Sequence, residues 1–364
     1  MFRRQFLQAL NASGMGVMFP ASKLTTVVAT SAIQTAFHLA EKKAVAVAET
    51  DGTSLSPRIG IVSVGGIGGT CLPTARERAV MLVSLTRTLA IHTYGVDLHF
   101  MRADRKLLVG DSMHLLDANA YGRLAVSVRD QIAEAVGGLD MVLLVAGLGG
   151  TTGAGIAPIV AQVLREQNIL TLAFAVMPFA REGAQCEQIA QVGLRELRPH
   201  VDALFPYFND DFALGGKKVQ RLSTAAQQAR LTFLELCRSI LNPVCGAAWV
   251  NIDFEDLGQI IRRQEGDCAF GIGAAIDADG GAAATLMAID HPTLGRDRLS
   301  RASAVFVAIR AAPQAITLGE SLSVLEIVRK ELPPNADALF GVDADRTLDD
   351  VIVVSILANG VPLV

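Results

Sequence analysis

A glycine-rich stretch is the part of this 364-residue sequence where chemistry is first expected. Residues 147–155 read GLGGTTGAG, five glycines and two threonines, between the apolar run DMVLLVA and the segment IAPIVAQVLRE. Glycine loses more conformational freedom on folding than any other residue, so this density indicates that something approaches the bare main chain. A glycine-rich turn that opens a helix directs several N–H groups and the positive end of the helix dipole at one point. We therefore predict a phosphate-binding site, with ligand-free tight turns as the alternative.

A second glycine segment, GGIGG at residues 65–69, follows the apolar run RIGIVSV. In an open parallel sheet, segments that follow strands open on the same edge, and ligands bind there. A dinucleotide-binding fingerprint fails, because Cys71 stands where its third glycine belongs and the richer glycine segment follows a later strand. The sequence also lacks GxxxxGK[ST], which excludes a P-loop.

The elements that must position these segments alternate between apolar strands and helices. The predicted strands are RIGIVSV, VDLHFM, DMVLLVA, ILTLAFAVM and VDALFPYF, with helices up to about residue 92, at 120–136 and at 184–197. Near-continuous apolar strands alternating with helices are typical of a parallel sheet covered on both faces. A long helix over about 217–240 then leads to a second unit, which ends in DDVIVVSILANGV as an outer strand.

Composition narrows the class of protein. The chain is 51% hydrophobic and 19% charged with a formal net charge of −4, which is typical of a globular α/β protein. No global positive charge is available to attract nucleic acid, so no nucleic-acid partner is expected. The five cysteines form no CxxC pair and the six histidines show no ligand spacing, so no metal site is predicted.

Residues 147–155 resemble the signature GGGTG[ST]G of the tubulin/FtsZ family, with Thr151 in place of a glycine. MPFAREG, YFND, a long helix, VNIDFEDL, CAFGIGAA and ANG follow in the order and spacing of bacterial FtsZ, over roughly residues 58–362. The resemblance implies an α/β fold: a GTPase domain with a Rossmann-like parallel sheet, a central helix and a smaller α+β activation domain. The corresponding ranges are 57–216 for the nucleotide-binding domain, 217–245 for the central helix and 246–364 for the activation domain.

The same resemblance implies a ligand and the residues that bind it. The ligand would be GTP or GDP, with Mg²⁺ accompanying the nucleotide. Glu182 matches the family's ribose-binding glutamate, and Asn209 matches the asparagine that contacts the base. The phosphates would be bound by backbone N–H groups, together with the Thr152 hydroxyl, within the set Gly65, Gly66, Gly68, Gly69, Gly147, Gly149, Gly150, Thr151, Thr152, Gly153 and Gly155.

The chain departs from the family pattern at several of these places. The asparagine after the first glycine segment is replaced near Thr70 and Cys71, and an arginine after Glu182 becomes Cys186. The loop that embraces the terminal phosphate reads HLLDANAYG and has lost most of its glycines. At the base, Gln228 stands for the aspartate that reads guanine. A glutamine offers one carbonyl and one amide where a carboxylate accepts twice, so base preference stays open.

In the family, acidic residues of the next subunit complete the hydrolytic site. Asn251, Asp253 and Asp256 in NIDFEDL match those positions, which implies a head-to-tail homopolymer with slow GTP hydrolysis. The alternative for Asp253 is a helix N-cap. The alternative for the whole protein is a degenerate FtsZ-like structural or interaction protein with weak or no GTPase activity. The expected setting is cytoplasmic, in cell division or membrane remodelling.

Residues 1–56 form a predicted extension that associates with a membrane or targets the chain. RRQFL is similar to the start of a twin-arginine export signal. Arg3, Arg4 and Lys23 flank apolar residues, which suits an anionic membrane surface and a peripheral place at the inner membrane. The chain ends at VPLV, and we expect the linker and terminal peptide by which division FtsZ meets its membrane adaptors to be absent.

Overall fold

The computed structural model describes two compact units. The first unit comprises described residues within 57–211 and 222–241, and the second comprises those within 242–361. The described ranges are 57–75, 77–78, 85–110, 128–212, 222–246, 248–262, 266–276, 280–346 and 348–361. The N-terminal extension and the segment HLLDANAYG lie outside them, so the predictions made there stay predictions.

The first unit is built on six parallel strands in the order β3-β2-β1-β4-β5-β6. The strands β1 to β6 are Ile59–Val64, Leu85–His92, Arg105–Leu108, Met141–Gly147, Leu170–Met177 and Ala203–Phe208. The central strands are mostly apolar, and β1 and β5 are buried at every position. This is the expected pattern for a parallel sheet covered on both faces.

Helices connect and cover these strands. They are α1 (Gly65–Cys71), α2 (Gly95–Phe100), α3 (residues 128–136), α4 (Thr151–Glu166), α5 (Ala184–Leu197) and α6 (Leu222–Cys245). Helix α4 buries Ile156, Val160 and Leu164, which are spaced four apart and form one face. That face belongs to the main core of the unit, so α4 packs against the sheet.

One predicted strand was wrong. VDLHFM alternates apolar and polar residues, which favours a strand, but residues 95–100 form helix α2 and the second strand lies earlier, at Leu85–His92. In α2 only Leu98 is buried, whereas Val96 and Phe100 are 58% and 77% exposed. The alternation therefore did not reflect a buried sheet face.

The second unit contains a four-stranded mixed sheet in the order β7-β10-β8-β9. Strand β10 pairs antiparallel with both β7 and β8, and β8 pairs parallel with β9. The elements are α7 (Phe254–Arg262), β7 (Asp267–Ile276), α8 (Gly280–Ile289), α9 (Arg296–Leu299), β8 (Ala304–Ala311), α10 (Leu318–Glu331), β9 (Asp337–Ala344) and β10 (Val351–Val361).

The last strand is interior, so the prediction of an outer strand was wrong. Strand β10 is buried at every position except Gly360. Its near-continuous apolar sequence VIVVSILA is what a strand with a neighbour on each side requires. Position at the end of the chain does not decide position in the sheet, because the chain returns between two earlier strands.

Candidate functional site

A cavity of about 490 Å³ opens beside the carboxyl ends of β1, β2, β4 and β5 in the first unit. Ligands bind at this edge in open parallel sheets, and the volume lies in the range of small-molecule sites. The lining residues are Gly65, Gly66, Ile67, His92, Asp97, Gly147, Gly149, Gly150, Thr151, Thr152, Gly153, Val176, Met177, Pro178, Phe179, Glu182, Asn209, Ala225, Ala226 and Ala229.

The first glycine segment is helical rather than a loop, because α1 begins at Gly65 directly after β1. Gly65 has φ of +76°, a conformation that favours glycine. Gly66 lines the cavity, and a Cβ there would meet nothing within 4 Å. Gly68 and Gly69 do not line it. A Cβ on Gly68 would lie 2.6 Å from the Val145 carbonyl oxygen, and a Cβ on Gly69 would lie 2.6 Å from the Met101 side chain. These two glycines permit close packing of α1.

The second glycine segment is the amino end of α4, as predicted. Gly150 is the N-cap, with extended φ and ψ of −115° and 158°, and it has no side chain with which to cap the helix. The first N–H groups of a helix lack partners within the helix, and an anion satisfies them well. A Cβ on Gly150 would meet nothing within 4 Å, so the space that glycine leaves open belongs to the cavity.

Thr152 is held by a hydroxyl contact with the residue that follows β2. Its Oγ1 lies 2.5 Å from Oγ1 of Thr93, which follows β2 directly. This hydroxyl pair ties the first turn of α4 to the end of β2 and thereby fixes the orientation of the glycine segment. Gly155, which was predicted to bind phosphate, does not line the cavity.

Gly153 is required by packing, which leads to a stability prediction. Its Cβ position lies 1.9 Å from the Gly147 carbonyl oxygen, a main-chain atom that cannot turn aside. We expect Gly153→Ala to lower the free energy of unfolding by about 1–3 kcal/mol, the range for overpacking. Gly319→Ala is the control, because its Cβ position meets only Thr317 Oγ1, at 3.8 Å, and an alanine should slightly stabilise helix α10. Thermal or denaturant unfolding measures both, and equal stability of the two variants would contradict this reading.

Glu182 and Asn209 both line the cavity, and each also has a local role. Glu182 Oε1 accepts the Phe179 N–H at 2.8 Å and so closes the short 3-10 turn Ala180–Glu182. Asn209 Nδ2 donates to the Met177 carbonyl oxygen at 2.8 Å, and this bond does not use the acceptor Oδ1. Gln228 is 7% exposed and does not line the cavity. Helix α6 presents instead the small side chains of Ala225, Ala226 and Ala229.

Two polar lining residues were missed by sequence reasoning. His92 ends β2, and Asp97 lies in α2. Asp97 fell within the segment assigned as a strand, and His92 within the segment assigned as a helix. A signal was available in the apolar run LAIH, which is typical of a strand whose last residue reaches the ligand-binding edge.

Comparisons with known proteins identify the relationship. A family model for the GTPase domain of the tubulin/FtsZ family matches residues 58–213, and a model for the FtsZ C-terminal domain matches residues 266–362. Cell division protein FtsZ of Neisseria meningitidis is 31% identical over 317 residues, which cover 85% of this chain and 79% of that protein. This chain belongs to the tubulin/FtsZ family. The resemblance and the fold class predicted from the sequence are thereby confirmed.

Further FtsZ proteins and structures support the same membership. Cell division protein FtsZ of Caulobacter vibrioides is 30% identical over 313 residues, which span 85% of this chain but only 61% of that protein. An FtsZ dimer structure from M. jannaschii has a TM-score of 0.75 and 26% identity, covering 85% of this chain and 89% of the other. CetZ2 from Haloferax volcanii, at a TM-score of 0.70 and 20% identity, shares the fold.

The predicted catalytic residues of this FtsZ-family chain lie in the second unit and are exposed. Asp253 Oδ1 accepts the Glu255 N–H at 2.8 Å, so it is the N-cap of α7, as the structural alternative predicted. Asn251 Oδ1 accepts the Ala248 N–H at 3.1 Å. Asp256 lies in the first turn of α7. These local contacts do not test a catalytic role for any of the three residues.

Asn359, in the ANG motif, fastens the other end of α7. It is 2% exposed, and its Nδ2 donates to the carbonyl oxygens of Ile260 and Ile261 at 3.0 Å each. Its Oδ1 accepts from the Gly360 N–H at 2.8 Å. The side chain thus satisfies carbonyls that a helix end leaves without intrahelical partners. The Asn359 amide thus links strand β10 to the helix that carries Asp256.

We expect Asn359→Asp to lower the free energy of unfolding by about 2 kcal/mol, because two buried carbonyl oxygens lose their donor. The variant preserves side-chain size and the acceptor for Gly360, and it replaces the amide donor by a carboxylate oxygen that faces the two carbonyl oxygens. It therefore tests the loss of the donor together with the burial of a carboxylate. Denaturant unfolding measures the change. A loss below about 0.5 kcal/mol, typical of an ordinary surface substitution, would show that these bonds contribute little.

Two further properties concern the described part of the chain. Within the described ranges, no helix combines the length and hydropathy needed to cross a bilayer. Among those same residues, no cluster of three or more histidine, cysteine or acidic side chains is arranged to hold a metal ion.

Cys71 is buried in α1, and burial raises the pKa of its thiol to about 12 despite the nearby Arg230. It is therefore a neutral packing residue.

Proposed function

We propose that this chain is a nucleotide-dependent, self-assembling protein of the FtsZ type that binds GTP and GDP in the glycine-lined cavity. The observation that carries the proposal is the space in front of α4. Gly66 and Gly150 line the cavity, and the position of an added Cβ is empty at both. Packing does not explain glycine at these two positions, whereas an anion close to the backbone does.

The remaining lining suits the other parts of a nucleotide. Glu182 offers a carboxylate for ribose hydroxyls, with Oε1 already oriented by the Phe179 N–H. Asn209 Oδ1 offers an acceptor for a base edge. Ala225, Ala226 and Ala229 leave room for a planar ring against α6. We propose these contacts for Glu182 and Asn209. Gln228 does not line the cavity, and we propose no base contact for it.

The charge of the lining makes a divalent cation part of the proposal. The described lining holds the carboxylates Asp97 and Glu182 but no lysine or arginine. Backbone N–H dipoles must therefore offset the phosphate charge, against repulsion from Asp97. Mg²⁺ bound with the nucleotide would reduce that repulsion, since it binds phosphate oxygens and retains several waters.

Hydrolysis would be completed between subunits. Asn251, Asp253 and Asp256 of one subunit would position a water against the terminal phosphate held by the next. The water oxygen would bond to the terminal phosphorus, the bond from that phosphorus to the bridging oxygen would break so that GDP leaves, and the water proton would pass to a carboxylate. Backbone N–H groups of α1 and α4 would stabilise the charge that develops there. The altered phosphate loop HLLDANAYG leads us to expect slow turnover.

A structural protein with weak or no turnover is the second candidate, favoured by the altered phosphate loop HLLDANAYG and by the absence of Gln228 from the lining. Equilibrium binding of GTP, ATP and GDP to the purified chain tests the proposal. Saturable binding supports a nucleotide-dependent protein, and a preference for GTP over ATP supports the FtsZ type. Failure of all three nucleotides to bind would leave the structural candidate.

We also propose the division of the chain into an extension at 1–56, a nucleotide-binding domain at 57–216, a central helix at 217–245 and an activation domain at 246–364. The extension would attach cytoplasmic filaments, acting in cell division or membrane remodelling, peripherally to the inner membrane through Arg3, Arg4, Lys23 and neighbouring apolar residues.

We expect the full chain to pellet with anionic vesicles and a chain lacking residues 1–56 to remain in the supernatant. The expected cause is loss of basic and apolar residues that favour an anionic interface. Co-sedimentation with phosphatidylserine vesicles measures it, and vesicles of neutral lipid are the control. Equal pelleting of both chains would refute the membrane role.

A further inference from the structure

His92 is held in one orientation at the edge of the cavity. Its side chain is 8% exposed, and Nδ1 accepts the backbone N–H of Tyr94 at 2.8 Å. A ring nitrogen that accepts a hydrogen bond carries no proton, so the neutral imidazole must carry its proton on Nε2. The main chain therefore selects the tautomer.

The Nε2 atom is left available for a further partner. The nearest acidic oxygen is Asp97 Oδ2 at 3.6 Å, which is longer than a hydrogen bond. Both residues line the cavity beside the glycine segments. Asp97 is close enough to attract the Nε2–H group electrostatically, but it does not form a hydrogen bond with it.

The surroundings favour the neutral ring. Burial lowers the pKa of His92, and Asp97 offsets this only in part. The neighbouring glycine segments and Thr93 carry no charge, and on β3 the residue in register with His92 is Leu108. Lys106 of that strand donates to the His99 carbonyl oxygen, and Asp104 pairs with Arg78. A second proton, on Nδ1, would point at the Tyr94 N–H, so this contact disfavours the charged ring.

We propose that His92 binds the polyphosphate of the nucleotide as a neutral imidazole, donating Nε2–H to a phosphate oxygen in a tautomer selected by Tyr94. The inference rests on the proposed nucleotide binding and adds to it a residue that determines specificity for phosphate. Binding through this contact takes up no proton. The ring binds phosphate through the orientation of its Nε2–H donor and not through a positive charge.

The test compares His92→Leu with His92→Gln by equilibrium nucleotide binding. The leucine variant loses a hydrogen bond to a charged group, and its affinity for GTP should therefore fall by about ten-fold or more. The glutamine variant retains an N–H donor and should bind within about three-fold of the parent. The ratio of parent to leucine affinity should be the same at about pH 6 and about pH 8, a range over which a cationic histidine would change it.

The outcomes separate this inference from the proposed function. A parent protein that binds none of GTP, ATP and GDP refutes nucleotide binding itself. A parent that binds while His92→Leu binds equally well refutes only the role of His92. A ratio that rises several-fold at the lower pH refutes the neutral form. Nitrogen-15 NMR of histidine-labelled protein checks the tautomer without ligand, and a protonated Nδ1 would overturn it.

Discussion

Gly150→Val is expected to weaken nucleotide binding by about 100-fold while the protein stays folded. Gly150 is the N-cap of α4, and its Cβ position lies in open space on the cavity lining. A valine side chain would occupy the space in which phosphate must approach the N–H groups, and about 3 kcal/mol of overpacking corresponds to two decades in affinity. The backbone there is extended, which a β-branched residue adopts without strain.

The choice of glycine decides whether this experiment is informative. Gly153→Val would also abolish binding, but its Cβ would lie 1.9 Å from the Gly147 carbonyl oxygen and would disturb the segment itself. Gly150→Ala should give an intermediate loss, and Gly319→Val, at an uncrowded glycine in the second unit, should give none. Thermal unfolding of each variant checks the fold. Unchanged GTP affinity in a folded Gly150→Val protein would place the phosphate elsewhere.

Asp256→Ala is expected to lower GTP hydrolysis by about two orders of magnitude, the size of effect for a lost acid–base group, while binding stays intact. Asp256 is exposed in the first turn of α7 and belongs to the unit that does not contain the cavity. Asp253→Ala is a poorer probe, because removal of this N-cap would also destabilise α7 by about 1 kcal/mol.

Mixing two inactive variants tests whether the hydrolytic site is shared between subunits. Gly150→Val retains Asp256 but has lost its pocket, and Asp256→Ala retains the pocket. If one subunit's acids act on its neighbour's nucleotide, the mixture should recover activity that neither variant has alone. Parent activity per molecule should also rise with protein concentration. Activity that is independent of concentration, or no recovery in filaments that contain both variants, would confine Asp253 to its role as a helix cap.

Most of the order of elements, apart from β2, α2 and β3, and the edge that carries the cavity could be predicted from the sequence. Apolar strands alternating with helices required a parallel sheet, and glycine segments after two of its strands required a site at their carboxyl ends. The spacing of the later motifs pointed to the tubulin/FtsZ family, which the comparisons confirmed. These features depend on local periodicity and on the chain order of short motifs, which sequence records directly.

The function of each glycine could be decided only by the tertiary structure. Gly150 and Gly153 stand in one motif, yet one faces the open cavity and the other packs against a carbonyl oxygen. Gly68 similarly packs against the main chain of β4. Local sequence does not specify which atoms from distant segments approach within 3 Å, because that depends on how whole elements dock.

The same reason explains the remaining differences. His92 enters the site because β2 ends beside the glycine segments, and β10 is interior because the chain returns between β7 and β8. Asn359 holds the end of α7 from about one hundred positions away in sequence. Sequence determined the family, the kind of ligand-binding edge and most element types, but not those of β2 and α2. Long-range packing decided which side chains meet there, since strand order and helix docking are set by burial over the whole unit.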